Sequence, residues 1–305
     1  MTCKPLEKLT FNELFNSTTM FYMNEEIEQF VDKEIESKVL QIQNQLSSIN
    51  TKESFGNYIK TSPDSLDNIL AVLGISEERF KRIVSMIRKD RGYVFSTEWS
   101  LSLTRKYLIE SAAMTDSIVS LLWDGKNNAQ FMTRIPKFYL DAMDFKTRIN
   151  TNLNSELSIR QLVKSRLEGA YSNKIGDAIL KEIEGKIGEI CTKNNLPYQK
   201  QERIPLIDRT VSFVVGTKKD PKILIDVSYV VTTSSSQTKR KDAARATRAK
   251  LKQHSSAYSK ILYVSILDGA GWLARQADMK EIYSCSDFVL NLQNLCQLED
   301  IVQTL

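Results

Sequence analysis

The chain is 305 residues long, 42% hydrophobic and 26% charged, a balance that excludes wholesale disorder and suits one large core or two modest ones. No apolar run approaches the roughly 20 residues of a membrane-spanning helix, and the opening MTCKPLEKLTF lacks the apolar centre of a secretory signal; a soluble, cytoplasmic protein with no membrane partner is expected. The cysteines Cys3, Cys191, Cys285 and Cys296 lie far apart without a CxxC pair, which argues for reduced, mostly buried thiols rather than a zinc site or a disulfide framework. The single histidine, His254, removes Ser-His-Asp hydrolases, HxH metal sites and His-Asn-His nucleases from consideration. In its basic, serine-flanked setting it reads as a surface residue within reach of a phosphate. Catalysis, if present, rests on carboxylates, lysine and a hard cation.

The net charge of +5 is unevenly spread: Lys239 to Lys260 holds eight Lys or Arg against Asp242 alone, a local +7. Such a patch is the electrostatic footprint of polyanion binding; a solvated helix face is the other reading.

From about Phe11 to Trp123 apolar residues recur three and four apart, as in Glu25 to Leu46 and Leu66 to Leu73, which predicts a helical bundle. Pro63-Asp64-Ser65 opens one helix, Gly74 closes it, and Ser76 caps another over Arg79 to Lys89. This pair is either a DNA-reading unit or a packing element. Asp124 to Asn128 is the clearest loop, placing a domain boundary between 1–124 and 125–305. A further break is expected near Asn150 to Asn154, then a helix from about Ser158 to Thr192, loosened near Gly169 and Gly176. From Tyr198 the texture becomes β-rich: Arg203 to Gly216 and Pro221 to Val231 form a hairpin across Thr217 to Asp220. The basic helix follows, then a strand over Lys260 to Leu267, the turn Asp268-Gly269-Ala270-Gly271-Trp272, and a last helix from roughly Ser286 to Leu298. Together these make a compact α/β module.

Within the strand Ile223 to Val230, Leu224, Asp226, Ser228 and Val230 share one face. Asp226 is the informative member: an acid among Ile223, Leu224, Ile225, Val227 and Val230 costs several kcal/mol to bury unless it meets a cation or strong donors. The alternative is an acid at an exposed strand end. Phosphodiester hydrolysis uses carboxylates to hold Mg²⁺, with a lysine near the attacking water. Here Ser228 fills the third position of Asp226-Val227-Ser228, and Lys239 is the first lysine to follow. The run Thr232 to Thr238 is either a flexible linker or, lying before a basic helix, a phosphate-capturing loop; the basic stretch favours phosphate.

Lys222 to Arg248 and Leu262 to Arg275 resemble the catalytic core of GATC-cutting restriction endonucleases of the Dpn/Mbo type, within the PD-(D/E)xK nuclease superfamily. The likeness lies in Ile225-Asp226-Val227-Ser228, the Ser/Thr loop with Lys239, and Asp268-Gly269-Ala270-Gly271-Trp272, with Gly176-Asp177 and Glu182 earlier. It covers about the last 130 residues and implies an α/β fold in which a helical N-terminal region, for DNA recognition or dimerisation, precedes a PD-(D/E)xK-like core, a central mixed sheet flanked by helices. It further implies a type II site-specific deoxyribonuclease using Mg²⁺ on double-stranded DNA, a homodimer, with a cognate DNA methyltransferase in the same system. The implied catalytic residues are Asp226, Ser228, Lys239 and Asp208, and the implied metal ligands Asp226, Asp208 and Glu182. The DNA-binding set is Thr232, Thr233, Ser234, Ser235, Ser236, Gln237, Lys239, Arg240, Lys241, Arg245 and Arg248. Three departures stand out: Asp226 is shorter than the family's glutamate, Ser228 stands where Asn or Lys is usual, and Ser212 stands where a metal-binding aspartate is expected. Either Asp226 works with Asp208 or Glu182, or this copy binds DNA while a catalytic partner cuts.

Overall fold

A computed structural model of the chain describes residues 7–93, 97–152, 155–253 and 261–305; Cys3, His254 and Lys260 fall outside them. In chain order the helices are α1 (Phe11–Asn16), α2 (Glu25–Leu46), α3 (Lys52–Thr61), α4 (Ser65–Leu73), α5 (Glu77–Asp90), α6 (Leu101–Glu110), α7 (Ala112–Asp124), α8 (Ala129–Met132), α9 (Lys137–Leu140), α10 (Phe145–Asn152), α11 (Glu156–Lys193), α12 (Ser235–Gln253), α13 (Ala270–Ala274), α14 (Gln276–Cys285) and α15 (Gln297–Gln303). The strands are β1 (Tyr198–Ile204), β2 (Arg209–Gly216), β3 (Pro221–Tyr229), β4 (Leu262–Asp268) and β5 (Phe288–Leu290). No helix among the described residues is long and apolar enough to cross a membrane.

Contacts divide the chain into two compact units: Glu25–Ser172, and Met1–Asn24 with Asn173–Leu305. This division lies inside α11, whereas the sequence placed it at 124/125. The reason is that Phe131, Leu140, Phe145, Ile159 and Val163 belong to the same buried cluster as α2 to α7, so the segment after the Asp124 loop completes the bundle. Gly169 and Gly176 leave α11 unbroken.

In the helical unit, Thr51 and Ser54 form a reciprocal capping box on α3 that satisfies two otherwise orphan N–H groups. Gly74, at φ 65°, ends α4 in the left-handed conformation, and the Ile75 N–H reaches back to the Leu70 carbonyl at 3.0 Å, the Schellman closure. Ser76 then caps α5 through the Arg79 N–H. Every residue of α4 except Asp67 is buried, and α5 buries one face through Phe80, Ile83, Val84 and Ile87, so both helices pack into the bundle. Phe55, Trp123 and Phe145 meet at ring separations of 4.5 to 6.0 Å, the large apolar surfaces that anchor a bundle core.

The second unit is built on a five-stranded sheet in the order β1-β2-β3-β4-β5. The pairs β1/β2 and β2/β3 are antiparallel, and β3/β4 and β4/β5 parallel, so α12 and α13–α14 serve as the crossovers that parallel neighbours require. Ala244 and Leu251 of α12, Met279 and Ile282 of α14, and Val214, Leu224 and Tyr263 of the sheet form one buried cluster. Two expected elements differ. The stretch from Arg203 to Gly216 is split by a turn at Pro205 to Asp208, where Asp208 has φ 51°, giving an extra hairpin. The expected helix from Ser286 contains instead β5, which pairs Val264 with Phe288 and Ile266 with Leu290, and the helix precedes it as α14. Cys191 is buried, Cys285 half-buried and Cys296 exposed, all as free thiols.

Candidate active site

β3 carries Asp226 into the sheet's centre, and β2, β4 and α12 determine what it meets. Arg209, the first residue of β2, turns its guanidinium onto the carboxylate in a two-pronged pair, Nη1 to Oδ1 at 3.1 Å and Nη2 to Oδ2. The Tyr263 hydroxyl, from β4, donates to Oδ2 at 2.7 Å. Arg209 is itself locked by Nε donating to the Thr247 hydroxyl of α12 at 2.6 Å and Nη1 to the Thr210 carbonyl at 3.1 Å. Burial opposes the guanidinium's charge, but the Asp226 contacts prevail and hold its pKa above the ordinary value. Burial, and then the Asp226 charge, push the Tyr263 hydroxyl far up, so it remains a donor. Fork-to-fork Arg–carboxylate bonding of this kind is both strong and geometrically specific.

Beside this pair lies an open cleft of about 500 Å³ lined by Arg209, Ser212, Asp226, Ser228, Lys239 and Tyr263 among others. Ser212, where an aspartate was expected, accepts the Val227 N–H at its hydroxyl oxygen, 3.0 Å, taking over a ladder bond. Ser228 is 4% exposed, and its hydroxyl has no hydrogen-bond partner. Lys239 is exposed and lines the cleft without a hydrogen bond or ion pair to another described residue. Arg240 also lines it, anchored by Nη1 donating to the Val227 carbonyl at 2.9 Å.

The other sequence candidates are placed elsewhere. Asp208 sits exposed in the β1–β2 turn, accepting from Arg203 at 2.7 Å, and that bond holds its carboxyl below the usual range. Glu182 accepts from the Tyr22 hydroxyl at 2.7 Å on the surface of α11. Among the described residues no three His, Cys, Asp or Glu side chains are grouped to hold a metal ion. The Asp226, Asp208 and Glu182 set is thus not assembled, and the donors at Asp226, one carboxylate already bonded to a guanidinium and a phenol, do not fit Mg²⁺.

The basic helix is also redistributed. Lys241, Arg245 and Arg248 occupy one stripe of α12 beside α14, with Lys241 and Arg248 half-buried and Arg245 exposed. Lys241 lies 3.3 Å from Asp278 and 3.6 Å from Glu281, and the Asp278 bond raises its pKa. Arg245 pairs with Glu281, while Arg248 bonds the Cys285 carbonyl at 2.6 Å and Asp287 at 2.7 Å. These three cations therefore knit the unit, a role that the charge count concealed because their acids lie some 30 to 40 residues downstream. Thr232, Thr233, Ser234 and Ser235 are exposed. Ser234 donates its N–H to Gln237 Oε1 at 2.8 Å, and its hydroxyl accepts the Ser236 N–H at 3.2 Å. Gln237 is fully buried and donates to the Gly271 carbonyl at 2.8 Å, so the run is a held turn leading into the first residues of α12. Its floor is the Asp268-Gly269-Ala270-Gly271-Trp272 turn. A Cβ on Gly269 would lie 2.3 Å, and one on Gly271 2.9 Å, from the Val230 carbonyl oxygen, and Trp272 Nε1 donates to the Ser228 carbonyl at 3.1 Å. Asp268, 2% exposed, accepts backbone N–H bonds from Thr19, Gly269 and Leu292; burial nevertheless raises its pKa.

Arg209 and Tyr263 are the partners of Asp226 that sequence reasoning missed; the available signal was an arginine opening a strand opposite an apolar strand with one acid. The fold and site together define an α/β unit built on a mixed sheet, with a partly cationic cleft at the antiparallel-to-parallel junction. Residues 151–303 match the family described as the BanI C-terminal domain, and the chain belongs to this family of restriction endonucleases. The match is to the BanI type and not to the GATC-cutting type in particular. No curated protein matches the chain.

Proposed function

We propose that this chain is a type II restriction endonuclease that hydrolyses phosphodiester bonds of double-stranded DNA at a short site, through a PD-(D/E)xK-like core. The carrying observation is that the matched segment, 151–303, contains the strands and helix that build the Asp226 cleft, with Lys239 at its side and the Thr232 to Ser236 hydroxyls before and at the start of α12. Backbone contacts fix a duplex in register without reading bases, and this loop and lysine supply hydroxyls, N–H groups and charge for them. Two strand cuts call for a homodimer, and a cognate methyltransferase would protect host DNA. The test is plasmid digestion with Mg²⁺, with EDTA and with Asp226→Ala, GATC-containing substrates included. Discrete fragments that need Asp226 support the proposal, with the EDTA arm reporting whether a divalent ion takes part, and cleavage that survives Asp226→Ala overturns it.

A second reading, a nuclease-fold DNA-binding subunit that works with a catalytic partner, is favoured by one observation: the guanidinium of Arg209 already occupies the carboxylate a metal would need. Duplex binding with no cleavage under any divalent ion would select it.

A further inference from the structure

The cleft has an electrostatic peculiarity that neither reading requires. Its charged lining is three cationic side chains, Arg209, Lys239 and Arg240, and a single carboxylate, Asp226. Arg209 is spent on Asp226, Thr247 and the Thr210 carbonyl, and Arg240 is anchored by one N–H on the Val227 carbonyl. Lys239 remains uncommitted among the described residues. The same cleft is lined by a donor without an acceptor, the Ser228 hydroxyl, more than nine-tenths buried. A buried hydroxyl left unpaired costs free energy comparable to a lost hydrogen bond, so a ligand that accepts from it recovers that cost. An acceptor that also neutralises an ammonium is an oxyanion.

We infer that this cleft holds a phosphate oxyanion directly, on Lys239 Nζ and Ser228 Oγ, with Arg209 cancelling the charge of Asp226 as a built-in counter-cation in the place where relatives of this nuclease class would need a divalent ion. Arg209 is a positioning residue: all its N–H groups are engaged, and it acts on the phosphate by removing the repulsion of the neighbouring carboxylate. The inference rests on the DNA reading above for its natural ligand, a backbone phosphodiester, and holds for either version of it.

Binding of a fluorescein-labelled random-sequence duplex is measured in EDTA and in Ca²⁺, across a salt titration. The parent binds equally in both within about twofold. Lys239→Ala lowers the steepness of the log affinity against log salt plot by about 0.9, the loss of one phosphate contact, and Ser228→Ala weakens binding by about tenfold or more, the value of one hydrogen bond to a charged acceptor. Arg209→Gln, which exposes the Asp226 charge, weakens binding in EDTA about tenfold. Two rescues separate charge cancellation from a merely structural role: adding Asp226→Asn restores affinity without any metal, and Ca²⁺ restores it in Arg209→Gln alone. Parent binding that is lost in EDTA and regained in Ca²⁺ only while Asp226 is present overturns the inference, as does unchanged affinity in both Lys239→Ala and Ser228→Ala. If the parent binds no duplex, the DNA reading fails, and inorganic phosphate then tests the pocket. Phosphate that raises the parent's melting temperature but not that of Lys239→Ala or Ser228→Ala sustains the oxyanion site, and phosphate without effect on the parent refutes it.

Discussion

Replacing Arg209 by Met is expected to destabilise the sheet unit by about 3 kcal/mol. The side chains of Arg209 and Asp226 are 21% and 23% exposed, so both charges are largely withdrawn from water. Removal of Arg209 leaves the carboxylate with one donor, the Tyr263 hydroxyl at 2.7 Å, and also strands the Thr247 hydroxyl that received Nε at 2.6 Å. Breaking one side of a buried pair costs about 3–5 kcal/mol, most of it the penalty of the charge left behind; the residual exposure of Asp226 places this case at the lower end. Asp226→Leu alone strands the guanidinium and costs a similar amount. The double variant Arg209→Met with Asp226→Leu removes both charges and leaves apolar groups of similar length, for which a cost of about 1 kcal/mol or less is expected. The coupling energy of the cycle is then several kcal/mol and favourable to the pair. Urea unfolding followed by hydrogen exchange in 221–229 and 262–268 reports on the unit that contains the pair. Strictly additive single and double effects would refute the reasoning, since they would mean that the two groups do not compensate each other.

Other expectations follow from the same geometry. Gly269→Ala, at φ 101° with its Cβ 2.3 Å from the Val230 carbonyl oxygen, combines a left-handed backbone penalty of about 1–2 kcal/mol with a backbone clash, and should lower the thermal midpoint of the sheet unit more than Gly92→Ala, which has open space around it, lowers that of the helical unit. Asp67 is pushed up by burial, but its bonds to Arg166 at 3.1 and 2.8 Å and to Lys38 at 3.1 Å outweigh this and hold its carboxyl below the ordinary value. Its contribution is therefore present above the unfolded-state pKa of about 4 and is lost as pH falls through the folded value; the urea midpoint of the helical unit drops in that range, and Arg166→Ala flattens the drop. Asp268 has the opposite sign: its raised pKa means that the neutral form favours the fold, so its contribution is full in acid and declines as pH rises through the folded value. Asp268→Asn sets an amide donor against one of the three N–H groups it accepts and costs about 1–3 kcal/mol, read as a fall in melting temperature.

The helical unit and the β3–α12–β4 order were legible because their signals are local: three- and four-residue apolar spacing, the Gly74 stop, the Ser76 cap and the Thr217 to Asp220 turn lie within a few residues of what they control. The β1–β2 hairpin was hidden because Pro205, Leu206 and Ile207 extend an apolar run through the turn, Ile207 being a core residue, 2% exposed. β5 was misread as helix because its three residues, Phe288–Leu290, are too few to show a period of two, and their state is set by pairing with β4. The domain boundary was misplaced because the Asp124 loop signals a local break, whereas the apolar residues after it are claimed by the bundle core.

At the site, the premise that a carboxylate in an apolar strand needs a partner was sound, and the partner was what the sequence concealed. A divalent ion, a lysine and a guanidinium all repay the desolvation of Asp226, and nothing within the strand distinguishes them. The choice is made by cross-strand placement: Arg209 starts β2, and the β2/β3 register, with Val214 opposite Leu224, brings its side chain back over β3. The same placement leaves Ser212 as a backbone acceptor and Ser228 as a donor in waiting. Charge on α12 follows the same logic, since Lys241, Arg245 and Arg248 are answered by Asp278, Glu281 and Asp287 only once α14 packs beside them. A +7 stretch therefore overstates the field available to a phosphate, and the uncommitted Lys239 at the cleft is worth more to binding than the paired cations beside it: Lys239→Ala should flatten the salt dependence of duplex binding, while Arg245→Ala, whose charge is already met by Glu281, should change it by less than half as much. An equal effect of the two substitutions would show that the α12–α14 ion pairs open to meet DNA.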